Sequence, residues 1–293
     1  MYISTEINSF RDFGDNEKVL RLLKDAGFDA YDYSMFYGSN AEREVLSHDD
    51  YLLRAKAFRR AADEIGLVCN QAHAPFPTAT RDGRERMGMS SAEYNRYAHE
   101  KITRAIEVAG VLGAKIIVVH PCNDYTAEQN AELLKSFEKT ARKAGVKIAL
   151  ENMWNCENGT TFRATPAACS HHDDFRAHLE MLPKDVFVAC LDIGHAEMSG
   201  LNTDCVQMIE RLGEYLQAVH IHDNDCVHDS HGLPYTMRID LLKMLTSLKK
   251  SRYCGDVTLE ADTYIRKFPL ELYPHAAKLM AEIASYMREF LSK

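Results

Sequence analysis

Eight times along this chain a short apolar run gives way to a longer segment with amphipathic spacing. No other feature limits its fold as much. The apolar runs read as strands over Tyr2–Glu6, Phe28–Tyr33, Leu67–Ala72 and Lys115–Val119. Four more cover Val146–Leu150, Val186–Leu191, Leu216–Ile221 and Asp256–Leu259. Helical patterns lie between them, over Glu17–Ala26, Asp50–Ile65, Ser91–Leu112 and Ala127–Ala144, then Asp173–Met181, Asp204–Leu212, Ile239–Ser247 and Leu270–Phe290. Gly27, Gly66, Gly113 and Gly145 each stand between a helix end and the next strand, where a helix-terminating left-handed turn costs glycine least. Strict strand–helix alternation implies parallel pairing. Eight such units predict a closed (β/α)8 TIM barrel, with functional groups at the C-terminal ends of the strands. An open doubly wound sheet is the runner-up, but it would not gather residues from so many strands into one pocket.

At 293 residues and 46% hydrophobic content, residues 1–293 suffice for one domain with a full core. The formal charge of −8 disfavours a polyanion, and so nucleic acid, as the main partner. The N-terminus shows no basic-then-apolar leader, and no apolar stretch approaches the roughly 18 residues of a membrane span. Eight cysteines are scattered without a CxxC pair. They read as reduced, mostly buried thiols of a cytoplasmic protein. Asn158-Gly159-Thr160 matches a glycosylation sequon, which such a compartment makes coincidental.

The strand ends carry the chemistry. His73, His120, Glu151, Asp192, His195, His220 and Glu260 all fall where an apolar run stops. A buried carboxylate needs a cation or donors. For Glu151 and Glu260 the plain alternative is a separate Lys or Arg for each. With Asp192 and His220 at equivalent strand ends, one shared divalent ion is the better account. Three carboxylates and one imidazole favour Mn2+, Mg2+ or Co2+, and Zn2+ is also compatible. His220 and His222 point to the same side by alternation; His220 is the favoured ligand and His222 the second choice. His195 reads as a substrate hydrogen-bond donor, a support for a ligand, or a ligand to a second metal. His73 and His120 read as pocket donors or ligands, and Asp229 with His231 as a further polar shell. His171 and His172 read as exposed. The long loop after Glu151 carries the sole tryptophan, Trp154, with Phe162 and Arg163, either as a lid or as an anchored surface excursion. Arg81, Arg84 and Arg86, interleaved with Asp82 and Glu85, read as solvated surface.

The pieces ALEN at Glu151, LDIGH at Asp192 and His195, VHIHDND at His220, DSH at Asp229 and TLEAD at Glu260 give the chain a resemblance to the xylose-isomerase-like barrel superfamily. That group holds sugar isomerases and epimerases, inosose dehydratases and endonuclease IV. The resemblance spans nearly the whole chain. It implies one divalent metal on Glu151, Asp192, His220 and Glu260, with the two glutamates as acid/base pair and His195 on a substrate oxygen. It also places His73, His120, Glu151, Asp192, His195, His220, Asp229, His231 and Glu260 at positions similar to the nine ligands of three zinc ions in endonuclease IV. Additional metals are therefore left open. Two departures stand out. Leu233-Pro234-Tyr235-Thr236-Met237 lacks the Pro-Gly-x-Gly turn of many relatives. The segments after the second and third strands hold Glu42, Glu44, Asp49 and Asp50 in place of a basic DNA-binding loop.

The expectation is a metal-dependent isomerase or epimerase of a sugar or polyol-derived ketone, working through an enediolate. Trp154 would shield the pocket, which His73, His120, His195, His222, Asp229 and His231 would line. The competing classes are a multi-metal phosphodiesterase, a dehydratase or lyase, and a non-catalytic sugar sensor. A homo-oligomer is expected by analogy alone.

Overall fold

Every predicted strand forms within two residues of its expected ends. The computed structural model describes residues 1–36, 45–156 and 163–293. Glu42, Glu44, the Asn158-Gly159-Thr160 sequon and Phe162 lie outside the described residues. In chain order the strands are β1 (Ile3–Thr5), β2 (Ala30–Ser34), β3 (Val68–His73), β4 (Ile116–Val119) and β5 (Lys147–Glu151). A small antiparallel pair follows, β6 (Asn155–Cys156) and β7 (Ala164–Thr165), then β8 (Phe187–Asp192), β9 (Leu216–His220) and β10 (Val257–Leu259).

Parallel pairing runs β2-β3-β4-β5-β8-β9, and β1 pairs with β10. Hydrogen bonds at the two seams close the ring. Ile7 N–H donates to Asp32 O at 3.1 Å and Asp29 N–H to Ile3 O at 3.1 Å; across the other seam Ile221 N–H donates to Thr258 O at 2.9 Å and Glu260 N–H to Ile221 O at 3.1 Å. The chain is a (β/α)8 barrel. The open sheet is set aside, because it would leave β1 unpaired on one side.

The helices are α1 (Asn16–Ala26), α2 (Tyr51–Ile65), α3 (Ser91–Leu112), α4 (Ala127–Lys135), α5 (Glu138–Ala144), α6 (His172–Glu180), α7 (Ile193–Ala196), α8 (Cys205–Leu212), α9 (Leu241–Lys250), α10 (Asp262–Ile265) and α11 (Tyr273–Ser292). Local sequence sets their ends. Ser90 and Thr126 form reciprocal capping boxes with Glu93 and Gln129. All four inter-element glycines close helices in the left-handed region. At Gly113 (φ +82°) the need is also steric, because a Cβ would lie 2.1 Å from the Arg59 guanidinium that binds Leu112 O.

The single helix expected over Ala127–Ala144 is two. At Ser136 and Phe137 the backbone tightens to a shorter-span bond, Phe137 N–H to Leu134 O at 3.0 Å, as the Phe137 ring turns into the core. The helices at 193–196 and 262–265 are single turns, too short to show periodicity.

Two apolar layers result. The larger joins the outer faces of the strands to the helices. A smaller one, Val118, Ala149, Val188, Cys190 and Ala218, plugs the barrel interior. Alternation along each strand makes this division. The described cysteines are all free and five are buried. Among the described residues no helix is long and apolar enough to cross a membrane.

Candidate active site

The strand ends bring the expected carboxylates and imidazoles to one place. Glu151 closes β5 and Asp192 closes β8, directly opposite His220 of β9 in register. Glu260 follows β10. One ligand-capable atom each from Glu151, Asp192, His220 and Glu260 lies within 4.8 Å of the other three, and all four residues are buried. No Lys or Arg neutralises either glutamate among the described ion pairs. The separate-partner alternative is thereby excluded within those residues.

Three further groups share members or contacts with this one. His73 joins His120 and Glu151 in one and His220 and Glu260 in another; His73 and His120 stand 3.3 and 3.2 Å from Oε2 of Glu151. His195, His222, Asp229 and His231 form the third, joined to the four where His222 Nε2 lies 3.2 Å from Asp192 Oδ1. The two histidines of the HIHD segment therefore divide between groups: His220 faces the glutamates, and His222 lies against Asp192 and stacks on His231 at 4.1 Å. Trp154 donates from its indole to Asp229 Oδ2 at 3.3 Å. This ties the loop after β5 to the loop after β9. His171 and His172 are half-buried at the head of α6, not exposed as expected. Arg81, Arg84 and Arg86 are exposed, and Arg84 pairs with Asp124 at 2.9 Å.

Electrostatics mark the cluster as short of positive charge. Burial alone would raise the Glu151 carboxyl, but the imidazoles of His220 and His120 outweigh it and hold it well below the carboxylate range. Burial would likewise raise Glu260, yet His220 brings it down to about 2. Burial would lower His195; Asp192 and Asp229 instead push it up to about 10. His220 and His231 are also raised well above the ordinary value against the pull of burial, by neighbouring acidic groups that include Glu260.

Several buried polar atoms, Asp192 Oδ2, His220 Nδ1, His222 Nδ1 and Asp229 Oδ1, have no hydrogen-bond partner. His220 Nδ1 is only 3.1 Å from Glu260 Oε2 yet is not aligned to bond it. Unpartnered buried atoms of this kind, in an oxygen-rich set with imidazole, fit a divalent cation.

The sequence reading passed over the residues that hold the ligands in place. Asn152 clasps the backbone of Asp192, accepting its N–H at 2.8 Å and donating to its carbonyl at 2.9 Å, while its own carbonyl accepts from His195 Nδ1 at 2.9 Å. Its place directly after Glu151 in ALEN was the available signal. Asp223 is buried and accepts three backbone N–H groups, from Met237 (2.8 Å), Arg238 (3.1 Å) and Ile239 (3.0 Å). It thereby folds back the loop carrying Asp229 and His231. The loop makes its turn without the glycines of many relatives, placing Tyr235 at φ +70°.

Replacing Asp223 with Ala should cost about 2–4 kcal/mol, since three donors lose a charged acceptor. Urea denaturation measures it, and a loss under ~0.5 kcal/mol would remove the anchor role. Gly194 is equally constrained: a Cβ there would sit 1.9 Å from His222 Cε1. Gly194→Ala is expected to evict the His222 ring and to destabilise by about 1–3 kcal/mol. Thermal unfolding together with the His222 ring resonances tests this; an unmoved ring contradicts it.

His73, His120, Glu151, His195, Asp229, His231 and Glu260 line a cavity of about 510 Å3, together with Phe36, Phe76, Met153 and Trp154 and with Glu6, Asp262 and Arg266, whereas Asp192, His220 and His222 are not among its lining residues. The family model of the xylose isomerase-like TIM barrel matches residues 20–289. The chain belongs to that family.

Two curated relatives of this xylose isomerase-like barrel are uncharacterized proteins. One, from Methanocaldococcus jannaschii, is 30% identical over 174 residues, so that the match spans 55% of this chain and 55% of that protein. The other, y4fM of Sinorhizobium fredii, is 24% identical over 279 residues, covering 84% of this chain and 81% of that protein. Among solved structures, a D-tagatose 3-epimerase-like protein superposes with a TM-score of 0.71 at 20% identity, covering 100% of this chain and 98% of that one. The 3-keto-D-glucoside 4-epimerase of E. coli gives 0.69 at 18% identity, with 96% and 99% covered. A D-psicose 3-epimerase gives 0.71 at 14% identity, with 98% and 99% covered. At such identities the likeness is one of fold.

Proposed function

We propose that this family member is a divalent-metal-dependent isomerase or epimerase of a keto sugar or related polyol ketone, with the whole chain acting as one catalytic domain. The observation that carries the reading is the convergence of Glu151, Asp192, His220 and Glu260 in one buried cluster, of which Glu151 and Glu260 line the pocket. The sugar 3-epimerases among the solved structures of like fold support it. These four side chains would hold the cation. When bound, it would polarise adjacent carbonyl and hydroxyl oxygens and stabilise charge developing on them.

The remaining work falls to the protein. One of Glu151 and Glu260 takes the proton from the carbon beside the carbonyl, and the other returns one. Return to the opposite face of that carbon gives epimerisation; return to the neighbouring carbon, with the hydroxyl proton passing from one oxygen to the other, gives aldose–ketose exchange. His195, held through Nδ1 by Asn152 O, would orient a substrate oxygen by sharing or exchanging the Nε2 contact it makes with Asp229. His73, His120, His222, Asp229 and His231 complete the polar lining or its support, and Trp154 limits water access. Two proton-transfer groups facing one space argue against a sensor that only binds.

The test is metal quantification of the purified protein combined with solvent-deuterium incorporation across a panel of ketoses. Exchange with none of them in metal-loaded protein would end the reading.

A second reading has its own observation. The four groups of potential ligands merge through His73, Glu151, His220 and Glu260 and, by contact with His222, through Asp192, an arrangement open to several cations and so to phosphodiester hydrolysis at abasic DNA. Nicking of abasic duplex with about three metal ions per chain would favour it.

A further inference from the structure

We propose that Asp32 and Gln71 are positioning residues for His220: they hold its ring from behind so that Nδ1 faces the glutamates, and Asp32 takes the Nε2 proton when Nδ1 binds a cation. This rests on the reading of His220 as a cation ligand, but not on the reaction that the cation serves.

A one-residue bulge brings Gln71 into place. Tyr31 pairs with Cys69 and Asp32 with Gln71, so Asn70 is the extra residue of β3. Cys69 faces the outer core, and strict alternation would send Gln71 the same way. The bulge turns Asn70 and Gln71 inward together. The Asn70 amide donates to Thr258 Oγ1 at 3.2 Å, and Gln71 reaches Asp32 and His220. Bulges beside functional sites commonly re-aim a side chain in this way.

The His220 ring stands between two sets of groups. Nδ1 lies 3.1 Å from Glu260 Oε2 and 3.5 Å from Glu151 Oε2. On the far side, Nε2 lies 2.9 Å from the Gln71 amide nitrogen and 3.7 Å from Asp32 Oδ2. The Gln71 amide donates to that same Asp32 oxygen at 2.6 Å. A neutral imidazole that gives one nitrogen to a cation carries its proton on the other, and that proton needs an acceptor. An amide nitrogen cannot accept it. Asp32 can: its side chain is 1% exposed, its partner among the described ion pairs is His220 and no Lys or Arg, and its Oδ1 has no hydrogen-bond partner. A buried carboxylate with an unpartnered oxygen is costly, and the proton of a ligating imidazole offsets that cost. Bringing Nε2–H onto the carboxylate needs a closure of about 0.5–1 Å, while the Gln71 N–H keeps the carboxylate in place.

The test reads cation binding by the full-length protein, independently of turnover. Isothermal titration gives the Mn2+ affinity of the parent, Asp32→Asn, Gln71→Met and Asn70→Ala. Thermal melting of the chelator-stripped proteins shows that each folds, and NMR of the Mg2+-loaded parent shows which His220 nitrogen carries the proton. Asp32→Asn and Gln71→Met should each weaken Mn2+ binding by about 10–100-fold. Asn70→Ala, which alters the barrel interior without touching the ring, should stay near the parent value. The loaded parent should carry the His220 proton on Nε2. Unchanged affinity in Asp32→Asn overturns the proposal, as does equal weakening in Asn70→Ala or a loaded ring protonated on Nδ1. If Asp32→Asn does not fold, Gln71→Met and the parent ring decide the matter on the same terms. Parent protein that binds Mn2+ but exchanges no ketose ends the isomerase reading, and weakened binding in the variants still supports the positioning role. A parent that binds neither Mn2+ nor Mg2+ overturns both.

Discussion

Glu260→Gln protein is expected to fold normally and to lose exchange of the substrate's α-proton by about 10²–10⁴-fold. The amide keeps the shape of the side chain and one ligand-capable oxygen but cannot accept a proton. Burial pulls the Glu260 carboxyl up and His220 pulls it down further, to about 2, so the group is ionised at neutral pH as a proton acceptor must be. Acid–base catalysis of that size leaves the rest of the barrier reduction to polarisation of the substrate and to positioning. The measurement is deuterium incorporation by NMR, alongside circular dichroism and metal content to show that fold and loading persist. Retained exchange at the parent rate would remove Glu260 from the acid/base pair and leave Glu151 to work with another group.

Stripping the protein with a chelator should abolish turnover and lower its thermal stability together, and Mn2+ should restore both. A ligand present at about 100 times its Kd stabilises the folded state by about 2.7 kcal/mol, which for a chain this long shifts Tm by roughly 4 °C. The structural reason is specific. Asp192 Oδ2 and His220 Nδ1 are buried without hydrogen-bond partners, and a cation would satisfy both. His220→Ala should remove the metal-dependent part of the shift, whereas His222→Ala should retain most of it, because His222 stands outside the four-residue group. Differential scanning fluorimetry with and without Mn2+ reads this directly. Equal loss in the two variants would show that the groups act as one site. No metal-dependent shift in the parent protein would remove the cation from the account.

Much of the site was legible because strand ends are a local property. Ile148-Ala149-Leu150-Glu151 and Val257-Thr258-Leu259-Glu260 announce a buried strand that stops at a carboxylate, and in a barrel all such stops face one mouth. Alternation also placed His220 and His222 on one side, but it could not assign them. Their separation depends on Glu260 and Asp192, which reach them from neighbouring strands. Phe36, Phe76 and Arg266 gave no signal, since two phenyl rings and an arginine in loops look like ordinary surface until the barrel closes around them; Glu6 ended a predicted strand as the other carboxylates do and was passed over.

The order of elements, the parallel pairing and the polar ring at the strand ends were therefore fixed by the chain itself, through periods of two and 3.6 residues and helix-ending glycines that act over a few neighbours. Tertiary structure decided the division of the histidines, the Asn152 clasp, the Asp223 anchor and the acidic mouth. Each depends on distances between groups tens to hundreds of residues apart, and no local period encodes those distances.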